Sequence, residues 1–227
     1  MNLKDKVIVI TGATKGFGKT LAEAFIGEGS QVVICSTNQT DVEAVAKEIG
    51  AFGVCADVTK EEDLTRLADE TIKQFGGIDI WINNAGLWIP HAFVEDFDMI
   101  KVKKMFDVNV IGPINGSRVA LRLMKEKGSG TIINVISDSA LAERPMSSTY
   151  SASKWAVHGF TKSIRAEDKN ISILSIFPGA MKTDIFGDAK PETFNDFMDP
   201  KYVVEKVITN LKLENPIEEL VIQKPGV

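Results

Sequence analysis

The chain has 227 residues, of which 44% are hydrophobic and 25% charged. Those proportions match ordinary globular usage and exclude a disordered chain, a collagen and a coiled coil. Lys and Arg number 26 against 31 Asp and Glu, a net charge of −5; this lacks the positive field of a nucleic-acid binder and the polybasic cluster of a membrane anchor.

Short β-rich runs alternate with longer helical stretches. Lys6–Thr11 is an apolar, β-branched first strand. Residues 17–28 place Leu21, Ala22, Phe25 and Ile26 at helical spacing. Gln31–Ser36 is a second strand, 39–49 a helix and Phe52–Cys55 a short third strand. Thr59 with Glu62 three residues on predicts a capping box. Asp79–Ile82 and Thr131–Ile136 are strands four and five, with a long helical region between them interrupted near Gly112-Pro113. A helix over 149–166 and a strand over Ile171–Phe177 follow. Asp199-Pro200 reads as an N-cap and an N1 proline, opening a helix to about Leu213. Glu219–Gln223 offers a last strand.

The central strands are apolar throughout, as in parallel sheets covered by helices on both faces. The expected fold is α/β: one doubly wound parallel sheet in a single domain spanning 1–227. Cys35 and Cys55 end apolar runs and form no CxxC, so buried reduced thiols are expected. Two thiols suit a reducing compartment. No apolar run spans a bilayer. Val7–Ile10 is too short for a signal peptide. A cytoplasmic protein with no metal, membrane or nucleic-acid partner is expected.

The first strand runs into Thr11-Gly12-Ala13-Thr14-Lys15-Gly16-Phe17-Gly18 and then a helix. Glycines at such a turn let backbone approach a ligand closely, and the helix N-terminus presents free N–H groups to a pyrophosphate. The spacing is G-x-x-x-G-x-G, and an unligated tight turn is the bland alternative. A site for NAD puts an acid at the end of strand two. Here that end reads Cys35-Ser36-Thr37-Asn38, and the first acid is Asp41, inside the next helix. Nothing there repels a 2′-phosphate. Lys15 could pair with one, and Ser36, Thr37 and Asn38 could donate to it. The residues favour NADP, with NAD possible.

Tyr150 and Lys154 stand at i and i+4, on one helix face. A phenol titrates near 10, and a neighbouring ammonium lowers that value and makes a usable proton donor or acceptor. Taken alone, the pair is an ordinary surface pair. Ser137, however, ends the fifth strand thirteen residues earlier, and Asn83-Asn84-Ala85-Gly86 ends the fourth. Ligands bind at the carboxyl ends of strands in open α/β sheets.

Together these segments resemble the short-chain dehydrogenases/reductases. The resemblance runs from Lys6 to about Thr183 and includes Asp57 in Ala56-Asp57-Val58, Asn109, and Pro178-Gly179 followed by Thr183. It implies a nicotinamide-dependent oxidoreductase acting on a carbonyl or secondary alcohol. Asp57, beside Val58, would hydrogen-bond the adenine. Asn83 and its neighbours Asn84, Ala85 and Gly86 would hold the adenosine side and steady strand four. Ser137 would bond the substrate oxygen, and Tyr150 would be the general acid or base. Lys154 would lower the tyrosine pKa and bind the nicotinamide ribose. Asn109 would hold a relay water. Pro178, Gly179 and Thr183 would lie beside the nicotinamide.

Three departures stand out. Thr37 replaces the arginine often present after strand two in NADP-using members. Arg165–Ile171 is about two residues short, so the helix bearing Tyr150 is expected to end early. The tail Leu220–Pro225 lacks the glycine-rich ending, so the C-terminal assembly contact is expected to differ. Residues 184–198, with Ile185, Phe186, Phe194, Phe197 and Met198, would cover the substrate. Trp88, His91, Leu141, Arg144 and Met146 are further candidates for the pocket wall, with His91 more a solvated residue than a catalytic one. Trp155, His158, Phe160 and Ile164 flank the catalytic face and suggest a homodimer or homotetramer. The alternative function is a dinucleotide-binding regulatory protein with vestigial activity; a third is a cofactor-free lyase or dehalogenase, against which the intact glycine turn argues.

Overall fold

The computed structural model describes residues 1–225; Gly226 and Val227, the end of the expected domain, lie outside the described residues. Seven strands form one sheet, ordered β3-β2-β1-β4-β5-β6-β7. They are β1 Val7–Thr11, β2 Gln31–Ser36, β3 Phe52–Cys55, β4 Ile80–Asn83, β5 Gly130–Val135, β6 Ile171–Pro178 and β7 Glu219–Ile222. Every pairing is parallel. The helices are α1 Gly16–Gly27, α2 Gln39–Ile49, α3 Glu61–Phe75, α4 Met99–Phe106, α5 Gly112–Lys127, α6 Ser148–Glu167 and α7 Pro200–Lys212.

β1, β2 and β4 are almost wholly buried because helices cover both faces. One layer packs Leu21 and Phe25 of α1 against Val203, Val207 and Leu211 of α7 and the sheet residues Ile8, Ile10 and Ile82. The other packs Leu64 and Leu67 of α3, Val119 and Met124 of α5 and Ile164 of α6 against Val9, Trp81 and Ile132. The order in which strands are added reverses between β1 and β4: β2 and β3 lie on one side of β1, and β4 onward on the other. That switch opens a crevice at the carboxyl ends of the strands, where α/β sheets bind ligands.

Several local expectations change. The capping box does not form. α3 begins at Glu61 behind Lys60, whose side chain caps nothing. Asp57 has captured Thr59 instead, accepting its amide at 3.0 Å and its hydroxyl at 2.8 Å. The acids Glu61, Glu62 and Asp63 complement the positive end of α3 without it. The helical region before β5 begins only at Met99, where Asp98 accepts from the amides of Ile100 and Lys101. Gly112-Pro113 does not interrupt it. α4 passes into α5 through a π-helical turn, Asp107–Ile111, which absorbs the extra residue. The Asp199 cap and N1 proline of α7 form as read, with Asp199 Oδ1 accepting from Lys201 at 2.8 Å.

α6 does not end early; it runs 20 residues to Glu167. Arg165 secures its end, donating to the Ile173 carbonyl at 2.7 Å, Ser175 at 3.0 Å and Glu219 at 3.0 Å. Cys35 is buried and free, and burial pushes its thiol up to about 12. Cys55 is free but only half-buried, because β3 is the sheet edge. Of the four residues on the flank of α6, Ile164 is buried, and His158 packs on Phe177 and meets Glu219 at 3.3 Å. Phe160 leans on the second core layer, and Trp155 stays 52% exposed. Burial within the chain thus accounts for three of them. Among the described residues, no helix is long and apolar enough to cross a membrane.

Candidate active site

The crevice is a cleft of about 510 Å³. One end is the turn after β1. Thr11 ties the two diverging strands together, its hydroxyl accepting from the amides of Asn84 at 3.0 Å and Ala85 at 3.1 Å. Asn84 returns the tie through its amide, to the Thr11 carbonyl at 2.8 Å and the Gly12 carbonyl at 3.0 Å. Gly12 has φ +65°, and a Cβ there would stand 2.7 Å from the Ala85 Cα. A Cβ on Gly18 would meet the Asn84 side chain and the Gly12 carbonyl, both at 2.5 Å.

α1 starts behind Lys15 with no side-chain cap and no acid in its first turn. Its amides and positive dipole end are left for an external anion. A backbone cradle without room for a Cβ and an uncapped helix end fit a pyrophosphate. Gly12, Lys15, Gly16, Phe17 and Gly18 all line the cleft, with Asn84 and Gly86 opposite. Thr14 and Ala85 stand behind this wall. Ser36, Thr37, Asn38, Asp57 and Val58 lie outside the cleft, at the ends of β2 and β3. Asn38 caps α2, its Oδ1 accepting from Asp41 at 3.1 Å, which leaves its amide nitrogen to donate. Asn83 faces away, buried and bonded to Trp81, Ser117 and Asn134.

The other end gathers Ser137, Tyr150, Lys154, Pro178, Gly179 and Thr183. Ser137 follows β5, and Tyr150 and Lys154 come from the first two turns of α6. Lys154 is buried, donates to the Val135 carbonyl at 3.3 Å, and sits 5.7 Å from the Tyr150 ring centre. Burial pushes its ammonium down to about 8. Burial also pushes the Tyr150 phenol up to about 12, against the hydrogen bond from Ser137; the Asp138 carboxylate raises it further. Desolvation dominates the phenol, and the opposing influence is Ser137 rather than Lys154. Asn109 is buried in the π turn, accepting from Leu87 N at 2.7 Å and donating to Leu87 O at 2.8 Å and Ser153 at 3.2 Å. It stands behind the cleft wall. Pro113 has no N–H to give the Asn109 carbonyl four residues earlier.

Trp88, His91 and Arg144 line this end as expected; Leu141 and Met146 do not, and both are exposed. Ile185, Phe186 and Phe197 also line it, whereas Met198 is buried in the core. Two residues went unread in the sequence. Thr11 acts across 73 positions, which only the β1–β4 adjacency reveals. Asp138 pairs with Arg144 at 2.7 Å; an acid directly after Ser137 was its only signal.

The short chain dehydrogenase model matches residues 6–193. The chain belongs to the short-chain dehydrogenase family. An uncharacterized oxidoreductase of Staphylococcus saprophyticus is 34% identical over 93% of both chains. One from Bacillus subtilis is 34% identical over 97% of this chain, which spans 66% of that relative. A solved 3-ketoacyl-(acyl-carrier-protein) reductase from Brucella melitensis, complexed with NADH, aligns with a TM-score of 0.90 at 29% identity, covering 97% of each chain. An alcohol dehydrogenase from Thermococcus sibiricus, complexed with 5-hydroxy-NADP, aligns with a TM-score of 0.86 at 25% identity over 99% of this chain and 100% of its own. The dehydrogenase described here is thus an oxidoreductase with the family's parallel sheet.

Burial of Lys154 makes a stability prediction. A lysine lowered from 10.5 to about 8 destabilises the fold wherever the folded state must hold its proton. That cost is complete below pH 8 and is relieved as pH rises from 8 towards 10.5, where the unfolded chain binds more protons. Its size is on the order of 3 kcal/mol at most. Tyr150 acts in the opposite sense above pH 10, where the unfolded phenol ionises first. Urea denaturation of Lys154→Met should show higher stability than wild type at pH 7, and no rise between pH 8 and 10.

Proposed function

We propose that this dehydrogenase reduces a carbonyl compound with NADPH, or oxidises the matching secondary alcohol, with Tyr150 as the proton donor or acceptor. The observation that carries the reading is the meeting of Ser137, Tyr150 and Lys154 in one cleft with an uncapped, glycine-cradled helix end. The turn Gly12–Gly18 would hold the pyrophosphate. Asn84, Ala85 and Gly86, with Pro178, Gly179 and Thr183, would flank the ribose and nicotinamide. When bound, the nicotinamide supplies the hydride; the protein supplies geometry and a proton.

Ser137 and Tyr150 would both donate to the substrate oxygen as negative charge develops there. Burial keeps the Tyr150 phenol protonated at neutral pH, which suits it to act as an acid. Lys154 would hold the ribose and return a proton to Tyr150. Asn109 would hold a water at its carbonyl and connect Lys154 to solvent. A bound positive nicotinamide ring would favour the phenolate and reverse the burial effect for alcohol oxidation.

The choice of NADPH rests on charge. No acid closes β2, and Lys15 is exposed on the cleft wall. Ser36, Thr37 and Asn38 would donate to the 2′-phosphate, and Asp57 with Val58 would meet the adenine. Fluorescence titration with both reduced cofactors tests this. NADPH should bind more tightly than NADH, and Lys15→Ala should weaken NADPH by about tenfold and NADH little, since one phosphate contact is worth roughly 1–2 kcal/mol. Equal binding of the two would end the 2′-phosphate argument. Residues 184–198 as the substrate cover, a single working domain, a cytoplasmic location and assembly into a homodimer or homotetramer belong to the same reading.

A further inference from the structure

The substrate end carries charge that the proposed reaction does not use. Asp138 follows Ser137 directly, with its side chain 14% exposed. Its Oδ1 accepts from the Ser137 hydroxyl at 3.3 Å. Its Oδ2 takes the Arg144 guanidinium at 2.7 Å and the Gln223 amide at 3.3 Å. Arg144 is therefore paired, through one guanidinium nitrogen, with a carboxylate of its own chain. Glu143 and Asp184 add two more carboxylates to the lining, and Lys15 lies at the phosphate turn. His91 packs edge-on against Trp88 at 5.4 Å.

The wall carrying Trp88 is apolar. The Trp88 ring meets Phe186 at 5.1 Å, and Phe186 meets Phe197 at 5.6 Å. A flat apolar skeleton can lie on these rings with its oxygen at Ser137 and Tyr150. A carboxylate on that skeleton would meet the Asp138 carboxylate directly beside Ser137, where Arg144 is already paired with Asp138. A pocket rejects a ligand effectively by setting like charge against it.

We propose that Asp138 is a specificity-determining residue: by holding Arg144 beside Ser137, it selects neutral, apolar carbonyl compounds and rejects those bearing a carboxylate or phosphate. The inference rests on the reading of the cleft as a carbonyl-reduction site.

Two aldehydes of one skeleton, methyl 4-formylbenzoate and 4-formylbenzoate, test it. Each is titrated calorimetrically into the protein loaded with NADP+, where no reduction can occur. Turnover is then followed with NADPH. The wild type should bind the ester about tenfold or more tightly than the acid, and kcat/KM should follow the same order. Asp138→Asn frees Arg144 and should narrow that ratio about fivefold or more, through tighter acid binding. The double variant Asp138→Asn/Arg144→Gln should lose the gain. Loosening of the site alone would weaken both probes together and leave the ratio in place.

Equal binding of acid and ester by the wild type would overturn the inference. So would an unchanged ratio in Asp138→Asn, or cofactor binding with no binding of either aldehyde. NADP+ itself is titrated first. Its failure to bind would instead remove the reductase reading, and the selectivity with it.

Discussion

Tyr150→Phe should lower kcat by about a thousandfold or more while changing NADPH affinity less than about twofold. Under the proposed reaction the phenol would give its proton to a substrate oxygen beside Ser137, and its pKa of about 12 keeps that proton in place at neutral pH. General acid catalysis contributes roughly 10²–10⁴ in rate, and an oxyanion donor roughly 10²–10³. Tyr150 would supply both, so its loss should fall at the upper end of either range. The substitution removes one oxygen and leaves the ring beside Lys154, so the cation–ring contact survives. Stopped-flow reduction with NADPH, alongside fluorescence titration of the cofactor, separates the two quantities. Turnover within tenfold of wild type would overturn the assignment of Tyr150.

Gly12→Val should weaken NADPH about a hundredfold or more and lower Tm by about 10 °C. Two costs add. A β-branched residue at φ +65° is strained by on the order of 2 kcal/mol. Its Cβ would also press the Ala85 backbone, at 2.7 Å from the Cα, and force β1 and β4 apart. The hydrogen bonds between Thr11 and Asn84 span that gap, each worth about 1 kcal/mol. A total near 4 kcal/mol corresponds to about 10 °C in a chain of this size. The same movement would misplace the amides proposed to receive the pyrophosphate. Gly27→Ala is the control. Nothing lies within 4 Å of its Cβ, and it should leave both measurements nearly unchanged. Cofactor affinity within threefold of wild type in Gly12→Val would refute the cradle.

The sequence made the sheet legible because burial on both faces forces nearly unbroken apolar strands, as in β1, β2 and β4. The phosphate turn and the pair Tyr150–Lys154 were legible because their geometry is local: a turn, and one helical step. What stayed hidden depended on distant neighbours or on competition between two good local solutions. Thr59 looked like a helix cap, yet Asp57, two residues away, offered a closer partner. The Gly112-Pro113 pair looked like a break, yet a π turn accommodated it without ending the helix. Arg165 bonds to β6 and to Glu219, 54 positions on, and so α6 keeps its full length. Ser36, Thr37, Asn38, Asp57 and Val58 were read residue by residue, but the cleft stops short of them, at the ends of β2 and β3.

The strand order has a consequence for how the chain acquires its shape. β1, β2 and β3 can pair as soon as residues 1–55 are made. The other flank of β1 has no partner until Ile80, Trp81 and Ile82 arrive, and those wait in turn for β5 at Gly130–Val135. A ribosome would therefore hold out a half-sheet whose apolar edge, Ile8-Val9-Ile10, is bare of hydrogen-bond partners until Ile80–Ile82 are made. The switch between β1 and β4 that makes room for a ligand is also the seam across which the first three strands, already paired, must recruit the second half of the sheet.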